Sequence, residues 1–345
     1  MNDAASAETS LDVVDLAESP AATASEFDRV CREIGFLKVV GHGVSPDLRD
    51  EYVGVTTAFF DLPIEQKNRS ITDPGVINRG YMPLLGEQLG TTLNADEDRA
   101  RPAVDAPELY ESFTIGLPDV PDDDVHRSAR GVWIHENVWP EAPAGFEAVW
   151  RAWWKEMRRL SSVILDHCAA ALGLADGWLD PYFDRQISAL RAINYPEIPT
   201  TSTPGQMRVG PHTDYGNMTV LLSDEVPGLE VHRDGDWVAV APDTDAFVVN
   251  VGDLMSVWTN GRWRSTLHRV VPVEADGMLL RRRSFPYFQQ PNHDALISCL
   301  ATCTDEENPP RYAPVTSGEH YDDKIRRQFV APATSERPAA PGGEE

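Results

Sequence analysis

The chemistry legible in this chain starts at His212-Thr213-Asp214. Residues two apart on a strand point to the same face, so this spacing can aim an imidazole and a carboxylate at one metal ion. The spacing alone is weak, because His232-Arg233-Asp234 repeats it. There Asp234-Gly235-Asp236 signals a tight turn, and a solvated hairpin end is expected instead of a second ligand pair. A third ligand must come from elsewhere in the chain. His42 lies between two glycines, which suits a turn. His126, His135 and His167 fall outside the β-rich half, and His293 and His320 come late in polar surroundings. His268 lies in a β-type run downstream of Asp214. Two histidines and one carboxylate on one face would leave coordination positions open, the donor set of non-haem iron(II) oxygenases.

These residues need a scaffold. From residue 187 to about 288 the chain consists of short β-type runs: Ala189–Asn194, Thr219–Leu222, Trp237–Val240, Ala246–Val251, Met255–Trp258 and His268–Val273. Turn signals separate them, among them Pro227-Gly228, Asn260-Gly261 and Asp276-Gly277. Many short strands at regular spacing point to a sandwich or barrel, the jelly roll being one closed solution. Upstream, helical spacing covers Ala22–Ile34, Pro46–Phe60 and, at greatest length, Phe146–Leu172, whose tryptophans are read as core. Strands are expected at Leu11–Leu16 and Gly35–Val40, and a helix near Tyr321–Phe329.

Composition narrows the function further. Asp plus Glu number 55 against 30 Lys plus Arg, a formal charge of −25, and such a field repels nucleic-acid phosphates and anionic lipid. Cys31, Cys168, Cys299 and Cys303 form no CxxC pair, and no signal-peptide pattern or bilayer-length apolar run is present. A cytoplasmic protein is expected, a monomer or weak homo-oligomer, without nucleic-acid or membrane partners.

The order of motifs is more specific than any of them alone. His212-Thr213-Asp214-Tyr215-Gly216, Val249-Asn250-Val251-Gly252-Asp253, Thr259-Asn260-Gly261, His268-Arg269-Val270 and Arg282-Arg283-Ser284 follow one another. Gly35-Phe36, Gly41-His42-Gly43-Val44, Phe59-Phe60, Glu111-Ser112-Phe113 and Asn137-Val138-Trp139-Pro140 precede them. Over roughly residues 10–330 the chain resembles the isopenicillin N synthase-like branch of the Fe(II)/2-oxoglutarate-dependent dioxygenases.

That resemblance implies a mainly β fold with flanking helices: a double-stranded β-helix (jelly-roll) core, an N-terminal α/β region and a C-terminal helix. The expected division is a disordered 1–10, an N-terminal region at 11–140, helical support at 141–186, the core at 187–300, a C-terminal segment at 301–332 and a disordered tail at 333–345. His212, Asp214 and His268 would bind Fe(II). Arg282 and Ser284, with Tyr195 and more weakly Asn194, would bind 2-oxoglutarate. An Arg fork suits its far carboxylate. With O2 as the oxidant, the implied reaction hydroxylates or desaturates a small metabolite and releases succinate and CO2. Alternatives are a 2-oxoglutarate-independent oxidase or cyclase, which would keep the same Arg-x-Ser, and a non-catalytic metal-binding protein. Arg79, Tyr81, Glu111, Phe113 and Phe288 are candidate substrate contacts, although residues such as Phe113 and Phe288 are more often plain core.

The stretch from His268 to Arg282 is longer than the family usually shows, with the extra residues around Ala275-Asp276-Gly277. A three-residue loop with Gly277 left-handed keeps His268, Arg282 and Ser284 on one face, whereas a two-residue loop reverses the parity. The three-residue loop is expected, with Arg281 and Arg283 facing outward.

Overall fold

The computed structural model describes residues 11–72, 79–86, 107–123, 126, 134–200 and 205–328. The expected disordered ends, 1–10 and 333–345, lie outside the described residues. Helix α1 (Pro20–Glu33) begins where Ser19 precedes Pro20: Ser19 Oγ accepts the Ala22 amide, and a proline in the first turn has no amide to leave unpaired. Helix α2 (Pro46–Phe60) repeats the device with Ser45 and Pro46. A short α3 (Ile64–Lys67) follows. The long α4 (Phe146–Ala171) buries Trp150, Trp153, Trp154, Met157, Leu160 and Ile164, as its periodicity predicts, and packs against α1 and α2.

The strands are β1 (Val13–Asp15), β2 (Phe36–Val40), β3 (Gly80–Met82), β4 (Glu111–Ile115), β5 (Ala189–Tyr195), β6 (Ile198–Pro199), β7 (Val209–His212), β8 (Met218–Ser223), β9 (Leu229–Arg233), β10 (Asp236–Ala239), β11 (Phe247–Val251), β12 (His268–Val270), β13 (Glu274–Ala275), β14 (Met278–Leu279), β15 (Arg282–Gln289) and the short pair β16 (Leu296–Ile297) and β17 (Val315–Thr316). The large sheet has the order β1-β2-β11-β8-β15-β5-β4-β3, and a four-stranded sheet has the order β10-β9-β12-β7. One cavity is lined from both sheets, which is the jelly-roll arrangement. Strands from residues 11–140 and 187–300 share the large sheet: β1 and β2 extend one side of it and β4 and β3 the other.

Two elements differ from expectation. Met255–Trp258 is not a strand but part of helix α6 (Asp253–Trp258), which buries Leu254, Met255 and Trp258. An apolar run this short fits either period, and Gly252-Asp253 ahead of it supplies the helix start. The C-terminal helix α7 begins earlier than expected and spans Ser317–Gln328, following α5 (Asp180–Phe183) and α6 in the helix count. No described helix is long and apolar enough to cross a membrane.

Candidate active site

Strand β7 ends at His212 and β12 begins at His268, and the antiparallel register sets these two residues directly opposite each other. Their ring centroids lie 4.2 Å apart. Asp214 is past the end of β7, in a loop, so the strand-face argument does not place it. Hydrogen bonds do. Thr219 Oγ1 and Asn250 Nδ2 donate to Asp214 Oδ2 at 2.5 and 2.7 Å, and the Asp253 amide donates to the Asp214 carbonyl at 2.8 Å. The other oxygen, Oδ1, then faces the histidines, 3.9 Å from His212 Nε2 and 3.8 Å from His268 Nε2.

The far side of each ring is also engaged. His212 Nδ1 donates to the Gly210 carbonyl at 2.9 Å, and His268 Nδ1 to the Thr266 carbonyl at 3.1 Å. A carbonyl can only accept, so each ring in its neutral form keeps its lone pair on Nε2, toward Asp214. Burial, and then the neighbouring His268, push the His212 imidazole down to about 4. It is therefore neutral, the ligating form, at ordinary pH. Burial alone would raise the Asp214 carboxyl, but the two histidines and the Asn250 and Thr219 hydrogen bonds together hold it below its ordinary value. The three donor atoms lie within 4.8 Å of one another. Among the described residues no other group of three His, Cys, Asp or Glu converges in this way. Two imidazole nitrogens and a carboxylate, each with an outer hydrogen-bond partner, fit a divalent first-row metal.

Four more histidines make contacts away from this site. His42 sits between two positive-φ glycines and its Nε2 donates to the Asp245 carbonyl. His167 bonds Thr23, and His126 bonds Asp123. His232 packs its ring on Trp237 beside the Asp234-Gly235 turn, the expected hairpin end.

Arg282 and Ser284 line the same cavity as the histidines. Arg282 is 4% exposed; its Nε donates to the Val226 carbonyl at 3.2 Å, its guanidinium lies 5.3 Å from the Tyr195 ring centre, and its Nη1 is buried with no hydrogen-bond partner. Tyr195 Oη is 3.4 Å from Ser284 Oγ, and burial is the main reason its phenol is raised. A buried guanidinium N–H without an acceptor fits a carboxylate ligand. Arg281 and Arg283 point away from the cavity, as expected, but are not simply solvated: Arg281 bonds Asp61 at 2.6 Å, and Arg283 bonds Asp224 at 3.3 Å.

The inward Arg282 is reached by a different route from the one its sequence suggests. Ala275 pairs with Met278, and Asp276 and Gly277 both have positive φ, so the loop has two residues, not three. The parity argument fails because no single ladder links His268 to Arg282. The β13–β14 hairpin pairs with β6 in a separate small sheet, and β15 then enters the large sheet beside β5 and β8.

The other sequence candidates divide. Phe288 lines the cavity. Asn194 does not: its amide donates to Glu111 Oε1 at 2.7 Å and its carbonyl accepts from Arg281 at 2.8 Å. Alternation along β5 puts Arg191, Ile193 and Tyr195 inside and Asn194 on the opposite face. Glu111 also accepts from Lys67 at 2.7 Å and from the Tyr81 hydroxyl at 2.5 Å, so Glu111 and Tyr81 belong to this outer network. Phe113 is packed among Phe59, Phe146 and Trp150. Arg79 lies over Gly116, where an added Cβ would be 2.1 Å from its Nη2; burial pushes the guanidinium down to about 10, with Tyr321 nearby. Sequence reasoning missed Arg191, although its place four residues before Tyr195 on a strand was a usable signal.

Residues 187–291 match the family described as the 2OG-Fe(II) oxygenase superfamily, and residues 11–142 match the non-haem dioxygenase in morphine synthesis N-terminal family. The chain is 30% identical over 312 residues to azadirone synthase LFS of Melia azedarach, covering 87% of this chain and 86% of that one. It is 30% identical over 311 residues to homoarginine-6-hydroxylase 2-ODD-233 of Oryza sativa subsp. japonica, covering 88% of each. The crystal structure of a full-length Neurospora crassa protein in complex with alpha-KG superposes with a TM-score of 0.79 at 26% identity, over 95% of this chain and 98% of that one.

Proposed function

Since the chain belongs to the isopenicillin N synthase-like Fe(II)/2-oxoglutarate-dependent dioxygenases, its reaction class is given, and we propose which of its residues carry that reaction. His212, Asp214 and His268 hold Fe(II). Arg282 and Ser284, with Tyr195 beside them, hold the far carboxylate of 2-oxoglutarate. The carrying observation is that both donor sets line one cavity: three convergent metal-ligand atoms, and a buried Arg282 N–H without an acceptor. Iron(II) with 2-oxoglutarate and O2 supplies the oxidising power, so that a substrate C–H bond is hydroxylated or desaturated as the keto acid becomes succinate and CO2.

The protein's own share is placement. Gly210 and Thr266 carbonyls fix the ring tautomers, and Thr219 and Asn250 hold one carboxylate oxygen so that the other faces the metal position. Arg282 supplies a fixed fork, and the protonated Tyr195 hydroxyl can donate beside it. Phe36, Ile193, Leu221, Val270 and Phe288 give the cavity an apolar lining that excludes water. The substrate is a small metabolite, and Phe288 is the candidate contact that lines the cavity. Asn194, Tyr81, Glu111 and Phe113 support the wall from outside and are assigned no ligand role.

Residues 187–300 are read as the oxygenase core, with 11–140 and 141–186 as its support. The four free thiols suit a reducing cytoplasm, and a site composed within one chain suits a monomer or weak homo-oligomer. The test is succinate formation from 2-oxoglutarate with Fe(II) and O2. His212→Ala should abolish it, and turnover in that variant would overturn the ligand assignment.

A further inference from the structure

Helix α7 packs against the loops that carry the metal-ligand residues, and the contact converges on one side chain. Asp253 Oδ2 accepts from Thr213 Oγ1 at 3.2 Å, and Thr213 lies between His212 and Asp214. Asp253 Oδ1 accepts from Ser265 Oγ at 2.6 Å, and the next residue, Thr266, supplies the carbonyl that orients His268. The Asp253 amide donates to the Asp214 carbonyl at 2.8 Å. One residue thus ties together the segments bearing all three proposed ligands. Gly252 permits the close approach, since a Cβ there would lie 2.3 Å from the Gly216 carbonyl oxygen.

The Asp253 carboxylate is mostly buried and must be charge-compensated. Lys324 Nζ, from α7, lies 2.6 Å from Asp253 Oδ2, with the two side chains 12% and 14% exposed. One helical turn earlier, His320 Nε2 donates to the Tyr215 carbonyl at 3.1 Å, and Tyr321 packs edge-on against the Tyr215 ring. Residues 320 and 324 share a helix face, so α7 grips the Asp214 loop and Asp253 with one surface.

We propose that Asp253 is a positioning residue for the three metal ligands, and that Lys324 makes the order of the metal site depend on docking of the C-terminal helix. The proposal rests on His212, Asp214 and His268 being the ligands. With α7 docked, Lys324 balances the Asp253 charge, and the carboxylate keeps both hydroxyl donors and hence both ligand segments in register. Without that cation, a buried carboxylate is left uncompensated between the ligand loops, and it relieves the strain by drawing in water and letting them part.

The test is anaerobic titration of the full chain with Co(II), a redox-silent probe, alongside thermal melting without metal. Lys324→Met should weaken Co(II) binding roughly 10-fold, the lower end of effects seen for outer partners of metal ligands. Lys324→Arg should recover most of it, because charge and reach are kept. Ser265→Ala, which cuts only the tie to the His268 segment, should weaken binding in the same direction with little loss of melting temperature. It also keeps the test open if Lys324→Met does not fold. Wild-type Co(II) affinity in a folded Lys324→Met chain, or in Ser265→Ala, would overturn the proposal, as would a lower melting temperature with unchanged affinity. His212→Ala is the control: if it binds Co(II) as the wild type does, the ligand assignment fails and this proposal with it.

Discussion

Arg282 offers the sharpest test, because its ligand role and a purely structural role predict opposite signs. Its Nε is used by the Val226 carbonyl and its Nη1 has no acceptor, so the end of the fork is the part left for a ligand carboxylate. Each hydrogen bond to a charged group contributes about 1.5–3 kcal/mol. Arg282→Lys keeps the charge but loses one of two such bonds, which at about 1.4 kcal/mol per decade raises the KM for 2-oxoglutarate roughly 10- to 150-fold. Arg282→Met removes both and strands the ligand carboxylate, at about 2–5 kcal/mol, or roughly 30- to 4000-fold. Stability should move the other way. Without 2-oxoglutarate, Met replaces a buried cation that has one carbonyl acceptor, so the melting temperature should hold or rise. At a 2-oxoglutarate concentration ~100 times the wild-type Kd, the wild type should gain about 2.7 kcal/mol and the variant less than about 1 kcal/mol. The assays are succinate formation against 2-oxoglutarate concentration, and melting with and without the keto acid. An Arg282→Met enzyme with wild-type KM, or one that melts much earlier yet responds normally to 2-oxoglutarate, would refute the reasoning.

Other perturbations separate the site from its supports. Asn250→Ala leaves Asp214 Oδ2 held by Thr219 alone, so Co(II) affinity should fall roughly 10- to 100-fold; an unchanged titration would deny Asn250 that role. Lys67→Met strands the buried Glu111 carboxylate and should cost about 3–5 kcal/mol of stability in urea unfolding while leaving the KM for 2-oxoglutarate unchanged. A change in that KM without loss of stability would return Glu111 to the site. His167, hydrogen-bonded to Thr23, is held below its ordinary value of 6.5, chiefly by burial. The unfolded chain then binds the extra proton first, so His167 lowers stability as pH falls through and below about 6.5. His167→Gln should flatten that part of the urea-stability profile, and an equal slope in both proteins would count against it.

What the sequence could reveal followed how local each cause was. Helices α1, α2 and α4 were legible because their caps or periodicity lie within the segment itself. Both histidines of the proposed metal site were named, but the reason they meet, His268 opposite His212 in the β7–β12 pair, is a register between distant strands that no local pattern encodes. Asp214 was named for an argument that does not hold, since it lies off the strand and is placed by Thr219 and Asn250 instead. Arg282 points inward although the turn before it was misjudged, because the chain changes sheets between the two ends of the parity argument. Asn194 fails on parity alone: it stands next to Tyr195, and neighbours on a strand face opposite ways. Tyr81, Glu111 and Phe113 were plausible by residue type, yet type cannot say which face of a sheet a residue occupies.

The net charge of −25 and an anionic cosubstrate pull against each other, and distance decides between them. Arg281 and Arg283 add little to the attraction, because Asp61 and Asp224 neutralise them on the outer face. Inside, Arg282 is 4% exposed, and a contact made there is screened far less than one on the surface. Outside, the acidic shell acts only on the approaching dianion, over a Debye length of about 8 Å at physiological salt. Repulsion should therefore slow capture while leaving the bound state nearly untouched. Raising salt from ~0.02 to ~0.2 M shortens the screening length from about 20 to about 7 Å, so kcat/KM for 2-oxoglutarate should rise roughly twofold to threefold with kcat flat. A cationic funnel at the entrance would give the opposite sign. A fall in kcat/KM with salt would thus mean that the local field around the pocket mouth, and not the net charge, governs how the keto acid arrives.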